Sequence, residues 1–243
     1  MKKYQIRLNY SGVRSNDKIK VRGKVAFKTK ELHWLHTTQP SIALVSIDSD
    51  FHEGLNGEIK MDALLSLIKE YVNGHFSILL ADTAHIHTQK IKYQSLAFDN
   101  CLKARNLLVK RYSFCLMNYP LLYWSSCICQ NKHFDTALAK VQHLYHTDRH
   151  FRNLIEIDAE AAYSKKRHQE FPDKSMFIDQ AKADIIEQSS SVLVLSELGY
   201  RFQFYPGAPY SSTQYVNHTL LHVEKQVHWI NVFLSIEKKT VLT

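Results

Sequence analysis

Glycine and proline are scarce in this sequence, and long apolar runs are missing. The 243 residues include 7 glycines and 5 prolines, which argues against a loop-rich, disordered or all-β repeat protein. No stretch reaches the ~18 apolar residues that a membrane span needs. The charged first residues are not followed by the apolar segment of a secretory signal. We therefore expect a cytoplasmic globular protein that does not contact a membrane.

Metal-binding cysteine spacings and glycine-rich phosphate loops are also missing. Cys127 and Cys129 are separated by one residue, whereas zinc knuckles usually have at least two. Without a secretory signal, the four cysteines are expected to be reduced thiols. The chain contains neither a GxGxxG nor a GxxxxGK sequence, so a nucleotide site is not predicted. We expect no metal and no cofactor.

Positive charge is what the sequence has in excess. The formal net charge is +8, which favours polyanionic partners through steering and counterion release. Residues 1–35 are basic and mixed in character. We predict that they form an N-terminal arm or an edge hairpin in front of one domain over residues 36–243.

Apolar runs alternate with helical patterns along the rest of the chain. Residues 41–46 and 76–81 are short continuous apolar runs, which predict buried parallel strands. The helical pattern between them, residues 61–72, completes a βαβ unit. Further helices are predicted at 94–112, 134–166, 178–198 and 213–223, and further strands at 113–117, 200–205 and 227–236. The fold class predicted is α/β, a single Rossmann-like domain with a mainly parallel sheet.

Polar side chains at strand ends mark the candidate site, because ligands of open α/β sheets bind beyond the carboxyl ends of the strands. Ser46 ends the first buried strand, and Tyr205 ends a later one. From the residues alone, a serine at this position is more often a turn or cap residue than a nucleophile.

Three short segments, taken in order, resemble the cyclodipeptide synthase family. Residues 43–51, ALVSIDSDF, resemble its nucleophile segment, with Ser46 as the acylated serine and Phe51 as the aromatic residue that follows. Residues 80–83, LADT, are similar to the Asp-Thr after the second strand, which identifies Asp82. Residues 204–207, FYPG, resemble the motif that places a tyrosine, here Tyr205, in the site. The resemblance covers roughly residues 40 to 210.

The subfamily is indicated by the residues around these motifs. The Tyr205-Pro206 pair, with Ser49 in place of an asparagine, resembles the XYP type. In this family a glutamate binds the substrate amino group together with a tyrosine four residues earlier. Glu187 and Glu197 are the candidates, and neither has that tyrosine. We favour Glu187, because Glu197 lies at the helix end.

The resemblance implies an ATP-independent aminoacyltransferase with a fold similar to the catalytic domain of class I aminoacyl-tRNA synthetases. It would join two aminoacyl groups from two aminoacyl-tRNAs into a 2,5-diketopiperazine by a ping-pong mechanism through a serine acyl-enzyme. A downstream tailoring enzyme is a possible partner. The catalytic residues implied are Ser46, Ser49, Glu187 and Tyr205, and the substrate-binding residues are Ile42, Leu44, Phe51, Asp82 and Pro206.

Two residues of the first strand predict the size of the first amino acid. Ile42 and Leu44 share a strand face with Ser46, since alternate residues point to the same side. Family members that take large apolar residues can have glycine at the position of Leu44. We therefore predict a small first residue, such as alanine or glycine.

A basic helix is the predicted tRNA contact. If the helix reaches back to Lys92, then Lys92, Lys103 and Lys110 fall within a ~20° sector, and Arg111 lies about 80° from Lys103. The one acidic residue between positions 90 and 111 is Asp99. A solvated amphipathic face is the alternative interpretation.

Three other classes of protein were weighed against this hypothesis. A class I aminoacyl-tRNA synthetase would need HIGH-like and KMSKS-like segments, and an α/β hydrolase would need GxSxG; the chain has none of these. A non-catalytic Rossmann-like RNA-binding protein would share the basic surface but give Ser46 no special role. That alternative stays open on the sequence.

Overall fold

The computed structural model describes residues 4–9, 20–26, 38–46, 64–65, 72, 75–84, 102, 105–106, 109, 119–164, 173–205 and 209–237. Seven strands within these residues form one sheet in the order β1-β2-β7-β6-β3-β4-β5. They are β1 (Tyr4–Asn9), β2 (Lys20–Ala26), β3 (Ser41–Ser46), β4 (Phe76–Ala81), β5 (Leu121–Tyr123), β6 (Phe202–Tyr205) and β7 (His228–Glu237).

Five neighbouring strands, β7-β6-β3-β4-β5, are parallel, and the N-terminal pair is antiparallel. The central strands are covered on both faces, which is why their sequences are continuous apolar runs. Ile42 and Ala43 point to opposite faces of β3, and both are buried. The predicted α/β class with a mainly parallel sheet is confirmed. The division of the chain at residue 35 stays a prediction.

Four helices are described: α1 (Phe134–Thr147), α2 (Arg149–Ser164), α3 (Lys174–Glu197) and α4 (Ser211–Leu220). The helical stretch predicted over 134–166 is divided into α1 and α2 at Asp148, whose backbone is extended. Its carboxylate accepts hydrogen bonds from the backbone N–H groups of His150 (2.8 Å) and Phe151 (3.1 Å). Asp148 therefore caps the start of α2 and separates the two helices.

The central helix is α3, which packs against α1, α2 and α4. Asp173 caps its start by accepting a hydrogen bond from the N–H of Ser175 (2.9 Å). Its end is a Schellman motif, in which Tyr200 N–H donates to the Leu195 carbonyl and Gly199 N–H to the Ser196 carbonyl, both at 3.0 Å. Gly199 has φ +86°, a conformation that glycine adopts without strain. This turn leads the chain directly into β6.

Most predicted elements are found where the sequence placed them. The strands at 41–46 and 76–81 match β3 and β4 residue for residue. The helix predicted at 61–72 is described at Leu64 and Leu65. The strand predicted at 113–117 lies outside the described residues. On the side of β4 away from β3, the strand that pairs with it is β5. No helix among the described residues combines the length and the apolar character needed to cross a membrane.

Candidate active site

The carboxyl edge of the parallel strands carries the candidate nucleophile. Ser46 is the last residue of β3 and is level with Ala81, the last residue of β4. On the other side, Ala43 is level with Phe204. Tyr205 is therefore level with Leu44, two residues before Ser46. The backbone thus brings the two predicted residues to the same edge, on adjacent strands.

Asp82 follows Ala81 directly and links this edge to the segment after β5. Its two carboxylate oxygens accept hydrogen bonds from the Ser125 N–H at 2.9 Å and the Ser125 hydroxyl at 2.6 Å. Ser125 begins a π-helical turn, Ser125–Cys129. The substrate-binding role predicted for Asp82 stays a prediction. The contact seen here is structural, since it ties the turn to the end of β4.

Glu187 lies beside this π turn. The Trp124 indole N–H donates to Glu187 Oε1 at 3.1 Å, and the Cys129 thiol donates to the same oxygen at 3.5 Å. Burial, followed by the charge of Glu187, raises the pKa of Cys129 to about 12. The thiol is therefore protonated at neutral pH and keeps its donor. Ala183 lies four residues before Glu187, at the position where the family resemblance implies a tyrosine, and it is half-buried.

Glu197 is the last residue of α3, whereas Glu187 lies near the middle of the helix. Ten residues of helix separate it from Glu187, a rise of about 15 Å. Its exposed carboxylate pairs with Lys225 at 3.6 Å, beside a cavity of about 330 Å³ that also borders His133 and Lys140. Its placement therefore favours Glu187 as the glutamate of the site.

A small cavity lies beside Leu44, between β3 and helix α3. Its volume is about 20 Å³, enough for roughly one water molecule. Several polar side chains contribute to its wall, together with two tryptophans: Gln188, Ser191, Gln203, Thr213, Trp124 and Trp229. Ile42 is fully buried and is not part of this wall.

The remaining candidate residues lie outside the part of the chain that the structure describes. They are Ser49, Phe51, Pro206, Lys92, Lys103, Lys110 and Arg111. Four residues of the predicted basic helix are described, and all four are helical and exposed: Leu102, Arg105, Asn106 and Val109. Their spacing puts them on one helix face, so a helix is confirmed at these positions. The tRNA contact itself stays a prediction.

Trp124, Ser125 and Cys129 were not predicted as site residues. The spacing of Cys127 and Cys129 bears only on metal binding in the sequence analysis, and it predicts no metal site. Among the described residues, no group of three His, Cys, Asp or Glu side chains could hold a metal ion. A useful signal would have been a tryptophan and two serines directly after a short apolar segment.

Solved structures with the same fold include cyclodipeptide synthases. One from Fluoribacter dumoffii matches with a TM-score of 0.74 and 16% identity, over 89% of this chain and 99% of that one. One from Candidatus Glomeribacter gigasporarum, bound to Phe-tRNA, matches with a TM-score of 0.55 and 15% identity, over 82% and 90%.

A Mycobacterium tuberculosis protein also matches, with a TM-score of 0.60 and 10% identity, over 92% of this chain and 96% of that one. Its structure relates cyclodipeptide synthetases to type I tRNA synthetases. Protein-family models and curated proteins gave no match. At these identities the likeness establishes the fold, which is Rossmann-like and similar to that of class I tRNA synthetases.

Proposed function

We propose that this chain is a tRNA-dependent cyclodipeptide synthase that makes a 2,5-diketopiperazine from two aminoacyl-tRNAs. The observation that carries the proposal is the position of Ser46, at the carboxyl edge of a sheet with the cyclodipeptide synthase fold. The adjacent Tyr205 strand end and the nearby Asp82 support it, as do the motifs in the sequence. The Tyr205-Pro206 pair supports assignment to the XYP subfamily.

The chemistry needs no ATP, because each substrate is already an activated ester. Ser46 Oγ attacks the first ester carbonyl, the bond to the terminal ribose oxygen of the tRNA breaks, and that oxygen takes up the proton. The amine of aminoacyl-Ser46 then attacks the second ester, which releases the second tRNA. Attack of the new terminal amine on the serine ester closes the six-membered ring and restores the hydroxyl.

The other residues have roles that fit these steps. The Glu187 carboxylate binds the substrate ammonium and relays its proton. The Tyr205 hydroxyl hydrogen-bonds the reacting carbonyl or amine, while Ser49 and Phe51 follow the nucleophile closely in the sequence. Aminoacyl-tRNA substrates imply a cytoplasmic enzyme, and a tailoring enzyme would act on its product.

Two measurements test the proposed function. Bacterial expression followed by mass spectrometry of the medium should reveal a diketopiperazine that is missing from cells with an empty vector. Incubation with aminoacyl-tRNA labelled in the amino acid should leave label on the denatured protein. Binding of tRNA without product or covalent label would instead support the non-catalytic RNA-binding alternative.

Removing two lysines from the basic helix should weaken tRNA binding. Lys103→Ala with Lys110→Ala is expected to lower affinity for aminoacyl-tRNA and to reduce the slope of log K against log salt by about 2, one per phosphate contact. Filter binding across a salt series measures both. The matched control is Lys132→Ala with Lys140→Ala, which removes two exposed lysines, one just before α1 and one in its middle. Equal effects in the two pairs would mean that the contact is not local to the basic helix.

The wild-type product should contain a small first residue, alanine or glycine, because Leu44 borders a cavity of only about 20 Å³. Leu44→Gly should shift the first position towards larger apolar residues, since each methylene accommodated changes the preference by ~1–3 kcal/mol. Mass spectrometry of products from both proteins tests this. Ile78→Val serves as the control, because Ile78 is buried in the neighbouring strand β4 and does not line the cavity. A wild type that makes mainly Leu-, Phe- or Tyr-first products would contradict the prediction.

A further inference from the structure

The Glu187 carboxylate receives two donors from a single π turn. Trp124 precedes the turn and Cys129 ends it, and both donate to Oε1. The two donors are five positions apart in the sequence. In an α-helix they would point about 140° apart and could not share an acceptor. The π geometry, seen in the Gln130 N–H to Ser125 carbonyl bond at 3.0 Å, closes the turn over five residues and allows both donors to reach one oxygen.

The π turn is itself anchored to the edge of the sheet that carries Ser46. Both Asp82 oxygens bind Ser125, the first residue of the turn. Asp82 is one residue beyond Ala81, which is level with Ser46. The sheet edge, the π turn and the Glu187 carboxylate are therefore connected by hydrogen bonds. π turns are rare and often occur at functional sites.

The environment of the two donors suits a fixed carboxylate. Trp124 is 2% exposed, and Cys129 is half-buried, so water has little access to their side of Oε1. The hydrogen bonds from these two donors, at 3.1 and 3.5 Å, converge on one carboxylate oxygen. Two such bonds restrict the carboxylate to one orientation.

We infer that Trp124 and Cys129 are positioning residues that hold the Glu187 carboxylate at the carboxyl edge, oriented to receive the ammonium group of an aminoacyl substrate. The inference rests on the proposed function. Their observed contact is with the Glu187 carboxylate. Both act through Glu187, and this distinguishes them from side chains that merely fill the core.

The first test compares two aromatic residues that each donate a hydrogen bond to a carboxylate. Trp124→Phe removes the N–H donor to Glu187, whereas Tyr215→Phe removes an O–H that donates to Asp148 Oδ2 at 2.7 Å, away from the cavity beside Leu44. We expect Trp124→Phe to lower kcat/KM for cyclodipeptide formation about 10-fold or more, the usual effect of losing a hydrogen bond to a charged group. Tyr215→Phe should lose much less. Thermal unfolding of each variant checks the fold.

The second test asks whether the effect passes through Glu187. In a Glu187→Ala background, single-turnover product formation should be insensitive to Trp124→Phe, since coupled residues are not additive. Cys129→Ser keeps a donor and should retain more activity than Cys129→Ala. These cysteine variants keep the inference testable even if Trp124→Phe does not fold.

The outcomes separate this inference from the proposed function. A wild type without cyclodipeptide activity would refute the proposed function. An active wild type in which Trp124→Phe behaves like Tyr215→Phe would overturn the positioning role alone. The positioning role would also be overturned if Trp124→Phe lowered activity by the same factor in the Glu187→Ala background as in the wild type. Equal activities of Cys129→Ser and Cys129→Ala would overturn it as well.

Discussion

Replacing Ser46 with alanine is expected to abolish cyclodipeptide formation and to leave the fold intact. The variant lacks the hydroxyl that would carry the aminoacyl group, so no covalent intermediate can form. A loss of at least ~10³-fold is expected, as for the removal of other enzymatic nucleophiles. Liquid chromatography with mass spectrometry measures the product, and denaturing gels after incubation with labelled aminoacyl-tRNA measure the acyl-enzyme.

The matched control lies on the same strand. Ser41 is the first residue of β3, at the end of the strand opposite to Ser46. It is buried, and its hydroxyl donates to the Gln39 carbonyl at 3.2 Å. Ser41→Ala should therefore affect stability modestly and leave the label on the protein. Retained activity in Ser46→Ala would remove the serine from the mechanism.

Replacing Glu187 with glutamine should be the second most damaging change. Glutamine has nearly the same shape and can still accept the indole N–H of Trp124, but it lacks the charge that pairs with the substrate ammonium and relays its proton. The expected loss in kcat/KM is ~10²-fold or more, the range typical of general acid–base groups. Steady-state assays with varied aminoacyl-tRNA provide the measurement.

Glu197→Gln is the comparison on the same helix. Its carboxylate is exposed and pairs with Lys225 at 3.6 Å, and exposed pairs contribute little to stability. Activity within about twofold of the wild type is therefore expected. If only Glu197→Gln lost activity, the assignment of the site glutamate would be wrong.

The parts of the fold that the sequence could predict are those governed by local patterns. β3 and β4 are buried on both faces, so their apolar runs identify them directly. Strand β5 escaped prediction because it has only three residues, all half-buried, and its pattern is too short to stand out. Similarly, the break at Asp148 depends on a cap within an otherwise uniform helical pattern.

The site could be predicted only where backbone topology decides it. Parallel strands present their carboxyl ends at one edge, so Ser46 and Tyr205 could be placed together from the sequence. The contact between Trp124 and Glu187 joins residues 63 positions apart, and no periodicity encodes it. Glu187 was favoured over Glu197 on the sequence alone, by its distance from the helix end, and this assignment stays a prediction.

The position of β7 has a consequence for how the protein is made. This last described strand lies between β2 and β6, with antiparallel pairing to the first and parallel pairing to the second. During synthesis β1 and β2 emerge from the ribosome before the other described strands, yet β7, which joins them to the sheet, emerges after all of these. Such distant pairings slow folding. Until β7 arrives, the edges of β2 and β6 are both open to pairing with other chains. Loss of β7 would therefore separate β1 and β2 from the parallel strands.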